Sequence, residues 1–314
     1  MLRVRFNLSV PSSVFTLNNR KNGEVKKVIL DTDIGTDVDD LWTLAVAIGR
    51  SDVDLVAVTV VYGDVGLRAR LASLALTGMG VSVPVARGIS DPMSDKEVMW
   101  AGFEGVGVPR LDAASAGEDD AVDLLCSLTA ADPGNIDVVA IGPLTNIAAA
   151  IERDSSFVSN VRQLTIMGGE FEREWAEHNV SSDVVASRIV FESGIPLTIM
   201  PLDQTLRVML TEEDLLPITE SHPIGGLLAD QADRFWSWLQ ACIPKAPRQK
   251  SPAHDPCALL TVVEPELFEF TPMAVTVDDQ GRTSGNPDAQ SPINVVTDLD
   301  VGRVHEAILT ALHI

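Results

Sequence analysis

The chain reads as an open α/β fold: one large domain with a mainly parallel sheet, helices on both faces, and a site at the C-terminal edge of the strands. Three observations predict it. Short apolar runs alternate with amphipathic helical stretches from residue 27 to residue 200. Those runs are apolar almost throughout, as strands covered on both faces are. The first of them, Val28-Ile29-Leu30, passes directly into five aspartates, Asp31, Asp33, Asp37, Asp39 and Asp40. A helical stretch follows at once, so the acidic side chains fall where open α/β sheets bind their ligands.

Strands are expected at 27–31, 54–61, 83–86, 136–141, 162–167 and 196–200, where β-branched and aliphatic residues cluster. Between them, helices are expected near 40–49, 66–79, 119–131, 144–153 and 183–193. The first, Leu41-Trp42-Thr43-Leu44-Ala45-Val46-Ala47-Ile48, is apolar all round and therefore buried. Pro143 and Thr145 suit the start of the fourth. A further helix is expected at 222–240. The final third should hold a helix near 253–262, strands near 272–277 and 293–297, and a closing helix at 300–312. The Gly- and Pro-containing stretch 88–118 reads as a long loop, and loops of that size are often functional. There is no internal repeat and no low-complexity segment.

Composition narrows the partners. The 314 residues are 46% hydrophobic, enough for a sizeable core, and carry a net charge of −22. Asp and Glu number 45 against 23 Lys and Arg, which argues against nucleic acid and anionic membrane surfaces. Cys126, Cys242 and Cys257 form no CxxC motif, as suits a reducing compartment. Cys257 is expected to be a small core residue. No apolar run reaches transmembrane length. Residues 1–24 are polar and lack the apolar segment of a signal peptide. They read as a poorly ordered extension ahead of a domain at 25–314, in a cytoplasmic protein.

The acidic cluster needs compensation. Two carboxylates about 5 Å apart repel by roughly 3 kcal/mol at an effective dielectric of about 20. Several can share a buried turn only if protonated, solvated or held on a cation. The stretch contains neither Cys nor His, which argues against zinc, whereas all-oxygen ligands suit Ca²⁺ or Mg²⁺. The plainer alternative is a solvated turn that caps the helix. Other strand ends carry polar residues too: Tyr62-Gly63-Asp64, the run from Ile141 to Asn146, and Met167-Gly168-Gly169 followed by Glu177-His178-Asn179. Together they outline one crevice. Ser251-Pro252-Ala253-His254-Asp255-Pro256-Cys257 sets a His-Asp pair before an apolar helix. It is either a helix cap with Pro256 at the first position, or one more oxygen ligand beside a group that titrates near neutrality.

These segments resemble the nucleoside hydrolase family, in the broad sense the inosine-uridine preferring type. Its DTDxGxD motif stands at Asp31–Asp37, followed by Asp39-Asp40. Its GPLTN motif stands at Gly142–Asn146, and its MGG strand end at Met167–Gly169. An E-x-N-x-x-x-D segment runs from Glu177 to Asp183, and the HDP motif is His254-Asp255-Pro256. Five ordered motifs cover the chain from about residue 27 to its end. The resemblance implies hydrolysis of the N-glycosidic bond of ribonucleosides or related N-ribosides, with one Ca²⁺ at the bottom of the crevice. Asp33 would be both metal ligand and general base. Asp40, Asp255 and the backbone carbonyl of Ile141 would complete the protein's ligands, with Asp37 the lesser candidate. Asp39, Glu177 and Asn179 would hold ribose hydroxyls, Met167 would line the sugar pocket, and His254 would meet the leaving base. A homodimer or homotetramer is implied as well.

The chain departs from the commoner family pattern. Ile34 replaces a proline, and Asp37-Val38-Asp39-Asp40 offers two registers, of which alignment on the following helix favours Asp39-Asp40. Asp64 stands on the substrate side where many members have Asn. A family histidine in the first long loop is missing near Ala101, and His178 stands where many members have Phe. The segment between Gly169 and Glu177 is short and charged. These changes predict weak or narrow hydrolysis of inosine. Two other readings stay open: a Mg²⁺-dependent phosphatase of the haloacid-dehalogenase type, which also places DxD after its first strand, and a non-catalytic nucleoside- or sugar-binding homologue.

Overall fold

A computed structural model describes residues 24–117, 120–243 and 250–313. The poorly ordered extension expected at 1–24 lies outside these residues except for Glu24. In chain order the strands are β1 Lys26–Thr32, β2 Val53–Val60, β3 Val85–Arg87, β4 Ile136–Ala140, β5 Val161–Met167, β6 Leu197–Met200, β7 Met209–Thr211, β8 Lys250–Pro252, β9 Phe268–Val277, β10 Thr283–Pro287 and β11 Ile293–Leu299. The helices are α1 Asp39–Gly49, α2 Val65–Gly78, α3 Ala121–Ala131, α4 Thr145–Arg153, α5 Phe157–Asn160, α6 His178–Ser182, α7 Val184–Glu192, α8 Leu202–Thr205, α9 Glu212–Ser221, α10 Gly225–Cys242, α11 His254–Val263 and α12 Val301–Leu312.

The main sheet has the order β10-β9-β11-β6-β5-β4-β1-β2-β3, and β7 pairs with β8 in a separate two-stranded ribbon. From β11 to β3 every pairing is parallel, while β9 and β10 add antiparallel strands at one edge. The chain leaves β1 for β2 and β3 on one side, then returns to β4, β5 and β6 on the other. The crevice between the ends of β1 and β4 is therefore the switch point of the sheet, where ligands bind in such folds.

Side chains alternate across β1. Val28 and Leu30 join a core with α1, α2, α10, α11 and α12, whereas Ile29 joins a second core with α3, α4 and α7. Each such residue is fully buried, a gain of roughly 1.5–3 kcal/mol per side chain. Helix α1 is buried over most of its length, Trp42 included, because it packs beneath α11 and α12 as well as on the sheet. That explains its unbroken apolar sequence.

The expected strands and helices up to residue 200 are present within about three residues of their expected ends. Beyond that point the expected helices near 253–262 and 300–312 are α11 and α12, and the strands near 272–277 and 293–297 are β9 and β11. The helix expected at 222–240 is α10, which starts at Gly225. It is preceded by α9, which has a capping box between Thr211 and Asp214 and contains Pro217. Strand β10, Thr-Ser-Gly-Asn-Pro, has no apolar run and takes its conformation from pairing with β9. Among the described residues no helix is long and apolar enough to cross a membrane.

Candidate active site

The floor of the crevice is the turn between β1 and α1. Asp31 does not reach it. Its Oδ1 accepts hydrogen bonds from Thr59 and Asn146 under the sheet, and burial pushes its carboxyl up to about 7. The backbone then turns through Gly35, whose φ of 123° strongly favours glycine. The turn is tied from inside: the Thr32 hydroxyl donates to Asp40, and the Ile34 N–H donates to Thr32 Oγ1 at 3.1 Å. Asp39 and Asp40 occupy the first turn of α1, where the helix dipole favours negative charge.

Asp255 comes from the opposite side, in the first turn of α11 just before Pro256. Its N–H donates to Asp39 Oδ2 at 3.2 Å. Asp39, Asp40 and Asp255 are all buried, and each offers a carboxylate oxygen within 4.8 Å of the others. At that spacing each ionised pair repels by about 3 kcal/mol at an effective dielectric of about 20. Burial raises all three carboxyls well above the usual range, and their acidic neighbours raise them further. Burial also lifts half-buried Asp37, to about 7. Asp33 lines the same cavity but lies outside the tight triple.

One buried cation stands nearby. Arg68 of α2 donates from Nε to the Tyr62 carbonyl and from Nη1 to the Ile34 carbonyl. Its Nη2 lies 3.9 Å from Asp33 Oδ2, and its guanidinium sits 5.2 Å from the centre of a Trp100 ring. One guanidinium cannot balance this many carboxylates. The donors are hard oxygens from four or five aspartates with no soft atom among them, which fits a divalent cation such as Ca²⁺ or Mg²⁺ and not zinc.

The ends of β4 and β5 form the wall. Gly142 follows Ile141, and a Cβ there would come within 3.0 Å of Asp33 Oδ1 and 2.9 Å of Val61, so only glycine lets the two strand ends approach. Asn179 donates from Nδ2 to the carbonyls of Ile141 at 3.0 Å and Met167 at 3.1 Å. Glu177 caps α6 by accepting from the N–H groups of Asn179, Val180 and Gly169. Burial raises its carboxyl, although those N–H groups oppose the shift.

His254 faces the cavity beside Asp255. Burial depresses its imidazole to about 4, so the ring is neutral, and Nδ1 lies 2.6 Å from the hydroxyl of fully buried Thr205. The cavity, about 350 Å³, is the size of a small-molecule site. Its mouth is lined by Met99, Trp175, His178, Phe235 and Trp238. Trp238 packs against Phe235 and Phe103, with ring centres 6.1 and 6.2 Å apart. His178 meets Tyr62 edge-on at 6.0 Å.

The structure thus brings Asp33, Asp37, Asp39, Asp40, Ile141, Met167, Glu177, Asn179, His254 and Asp255 to one cavity. It does not bring Asp64 there. That residue is exposed and caps α2, accepting from the Leu67 N–H at 2.9 Å. Its place as a substrate-side residue is corrected accordingly: the turn after β2 directs it to solvent and the helix end takes up its carboxylate. Sequence reasoning missed Thr36, Arg68, Thr205, Phe235 and Trp238. Thr36 fills an unspecified position of the acidic motif, no motif marks the other four, and Phe235 and Trp238 read as the apolar face of a helix. Cys257 is buried in the core and its thiol is pushed up by that burial, as a small core residue should be.

Comparison with known proteins agrees with this geometry. The family model of the inosine-uridine preferring nucleoside hydrolases matches residues 28–306. Uridine nucleosidase 1 of Arabidopsis thaliana is 31% identical, over 92% of this chain and 94% of its own length. A pyrimidine-specific ribonucleoside hydrolase of Photobacterium profundum is also 31% identical, over 88% and 95%. Among solved structures, a plant nucleoside hydrolase superposes with a TM-score of 0.82 at 26% identity, covering 92% of this chain and 99% of that one. A purine-preferring ribonucleoside hydrolase from Gardnerella vaginalis gives 0.81 at 28%, covering 92% and 98%. The phosphatase reading is thereby set aside. The chain belongs to the inosine-uridine preferring nucleoside hydrolase family, whose members are N-glycosyl hydrolases acting on nucleosides.

Proposed function

We propose that the protein hydrolyses the N-glycosidic bond of ribonucleosides in a Ca²⁺-dependent reaction, releasing free base and ribose. The observation that carries this reading is the convergence of Asp33, Asp39, Asp40 and Asp255 on one cavity, with carboxylate oxygens of Asp40 and Asp255 within 4.8 Å of each other and His254 facing the same space. Asp33, Asp40, Asp255 and the Ile141 carbonyl would hold the ion, with Asp37 as the lesser candidate. The Ile141 carbonyl keeps a second lone pair beside the one given to Asn179. Bound there, the ion would supply charge that offsets the carboxylates, orients water and binds the vicinal ribose hydroxyls.

The chain's own residues do the rest. Asp33 takes a proton from the water that attacks C1′. As the C1′–O bond forms, the C1′–N bond breaks and its electron pair leaves with the base. The centre is oxocarbenium-like, as in other glycoside hydrolysis. Asp39 accepts from ribose hydroxyls, joined by the Asn179 side-chain oxygen, while Glu177 holds the backbone of that wall. Met167 packs on the sugar and His254 stabilises the departing base. The aromatic mouth would stack on the base.

Release of reducing sugar from a nucleoside panel tests this. A relative named as a uridine nucleosidase makes uridine the first substrate to try. Binding without turnover would indicate the non-catalytic reading instead. Protein purified without added ions should carry close to one calcium per chain, and stoichiometric zinc would refute the metal assignment. A cytoplasmic location and a homodimer or homotetramer belong to the same proposal, the latter testable by light scattering.

A further inference from the structure

The neighbour of His254 is a buried hydroxyl that the mechanism above leaves unused. Thr205 closes the four-residue helix α8, is fully buried, and lies 2.6 Å from His254 Nδ1. Its hydroxyl has a single proton and two possible acceptors, that nitrogen and the Leu202 carbonyl at 3.2 Å. The carbonyl already accepts from the Leu206 N–H at 3.0 Å. The nitrogen is nearer by 0.6 Å, and the carbonyl already has its backbone donor. A hydroxyl that donates to Nδ1 leaves the ring proton on Nε2.

The backbone fixes both partners. The Thr205 N–H bonds to the Pro201 carbonyl, and the Leu202 N–H bonds to Gly169 at the end of β5. On the other side the Ala253 N–H bonds to Val208, continuing the β7–β8 ribbon up to His254. Thr205 and His254 sit on two segments held in register, so the 2.6 Å contact is built in rather than a chance rotamer.

We infer that Thr205 is a positioning residue that holds the His254 ring with its proton on Nε2, presenting a hydrogen-bond donor to the leaving base. The inference deepens the proposed hydrolase reading and rests on it for its kinetic consequence. With Nδ1 occupied, Nε2 is the ring nitrogen left to meet a ligand in the cavity. The opposite tautomer would offer a lone pair to an electron-rich leaving group and repel it. Fixing the tautomer through the far nitrogen is a general way to set a histidine's role.

The test compares Thr205→Val with Thr205→Ser. Valine keeps the shape and removes the hydroxyl; serine keeps the hydroxyl. For Thr205→Val, kcat on uridine should fall at least about tenfold with KM nearly unchanged, and kcat on 4-nitrophenyl riboside should fall less than about twofold, since a good leaving group needs little assistance. Thr205→Ser should recover most of the uridine rate. Long-range ¹H–¹⁵N NMR, with His254 assigned by loss of its signals in His254→Ala, should show Nε2 protonated in the wild type and a mixed tautomer in Thr205→Val. Equal losses on both substrates, no recovery with serine, or a wild-type ring protonated on Nδ1 would overturn the inference. If the wild type cleaves no nucleoside, the hydrolase reading fails on its own, and the NMR result still decides the tautomer.

Discussion

The floor and the mouth of the cavity are built on opposite principles. The floor is charged, buried and tied by hydrogen bonds from strand ends and helix starts, with Asp39 linked to Asp255 and Asp40 to Thr32. The mouth is apolar and aromatic, drawn from loops and one helix face, and partly open: Trp175 is 53% exposed and Met99 43%. Preorganised charge is worth most where water is excluded, which is why the proposed chemistry is assigned to the floor. On the proposed reading the base would lie at the mouth, against its aromatic rings. Substitutions in the two regions should therefore fail differently, in kcat below and in KM above.

The largest effect is expected at Asp33. Asp33→Asn should lower kcat by about 10²–10⁴-fold with the fold intact, the usual loss for a general base. Near-normal turnover would break the division between floor and mouth.

Stripping the metal comes next. In the protein without an ion, burial lifts the Asp39, Asp40 and Asp255 carboxyls well above their ordinary values, and lifts Asp37 to about 7. The folded state then binds more protons than the unfolded chain. Its stability contribution is full below the ordinary carboxyl range and is lost as pH rises from about 4 through 7. Chelated protein should thus melt higher at pH 5 than at pH 8, and added Ca²⁺ should raise Tm more at pH 8. Asp40→Asn should flatten that dependence. A stripped protein whose Tm climbs from pH 5 to pH 8 would contradict it.

His254 lies where the regions meet. His254→Ala should cost uridine hydrolysis far more than hydrolysis of 4-nitrophenyl riboside, and equal losses would make it a structural residue. At the mouth, Trp238→Ala should raise KM by about two- to tenfold with a smaller change in kcat, in line with about 0.5–1.5 kcal/mol for an aromatic contact. A kcat loss as large as that of Asp33→Asn would place chemistry in the mouth. The smallest effect is expected at Asp64. Asp64→Asn keeps a good helix cap and should change neither stability beyond about 0.5 kcal/mol nor the ranking of inosine against uridine.

The same contrast explains what could be read from the sequence. The floor was legible because its residues are consecutive, Asp31 to Asp40 and His254 to Pro256, and because acidic runs between core-like flanks need an explanation. The strands up to β6 were legible from their unbroken apolar runs. Periodicity cannot show which side of a turn Asp64 faces, nor that Asp31 points beneath the sheet. Thr205 and Arg68 act through contacts with residues 49 and 34 positions away, which no local pattern reports. Trp238 looks like core because a mouth aromatic and a core aromatic have the same helical spacing. Inosine hydrolysis was expected to be weak partly because of Asp64; with that residue turned to solvent, His178 and the missing histidine near Ala101 carry the expectation.

The bond from Asp255 to Asp39 joins residues 216 apart. During synthesis the acidic turn emerges from the ribosome with most of the protein still unmade, and the segment that closes it arrives only near the end. Domains generally fold as units, so until Asp255 is made the acidic turn carries carboxylates whose enclosing wall does not yet exist. The site is completed late by construction. A product cut short before Asp255 would lose that closing carboxylate together with α11 and α12, the helices that cover α1.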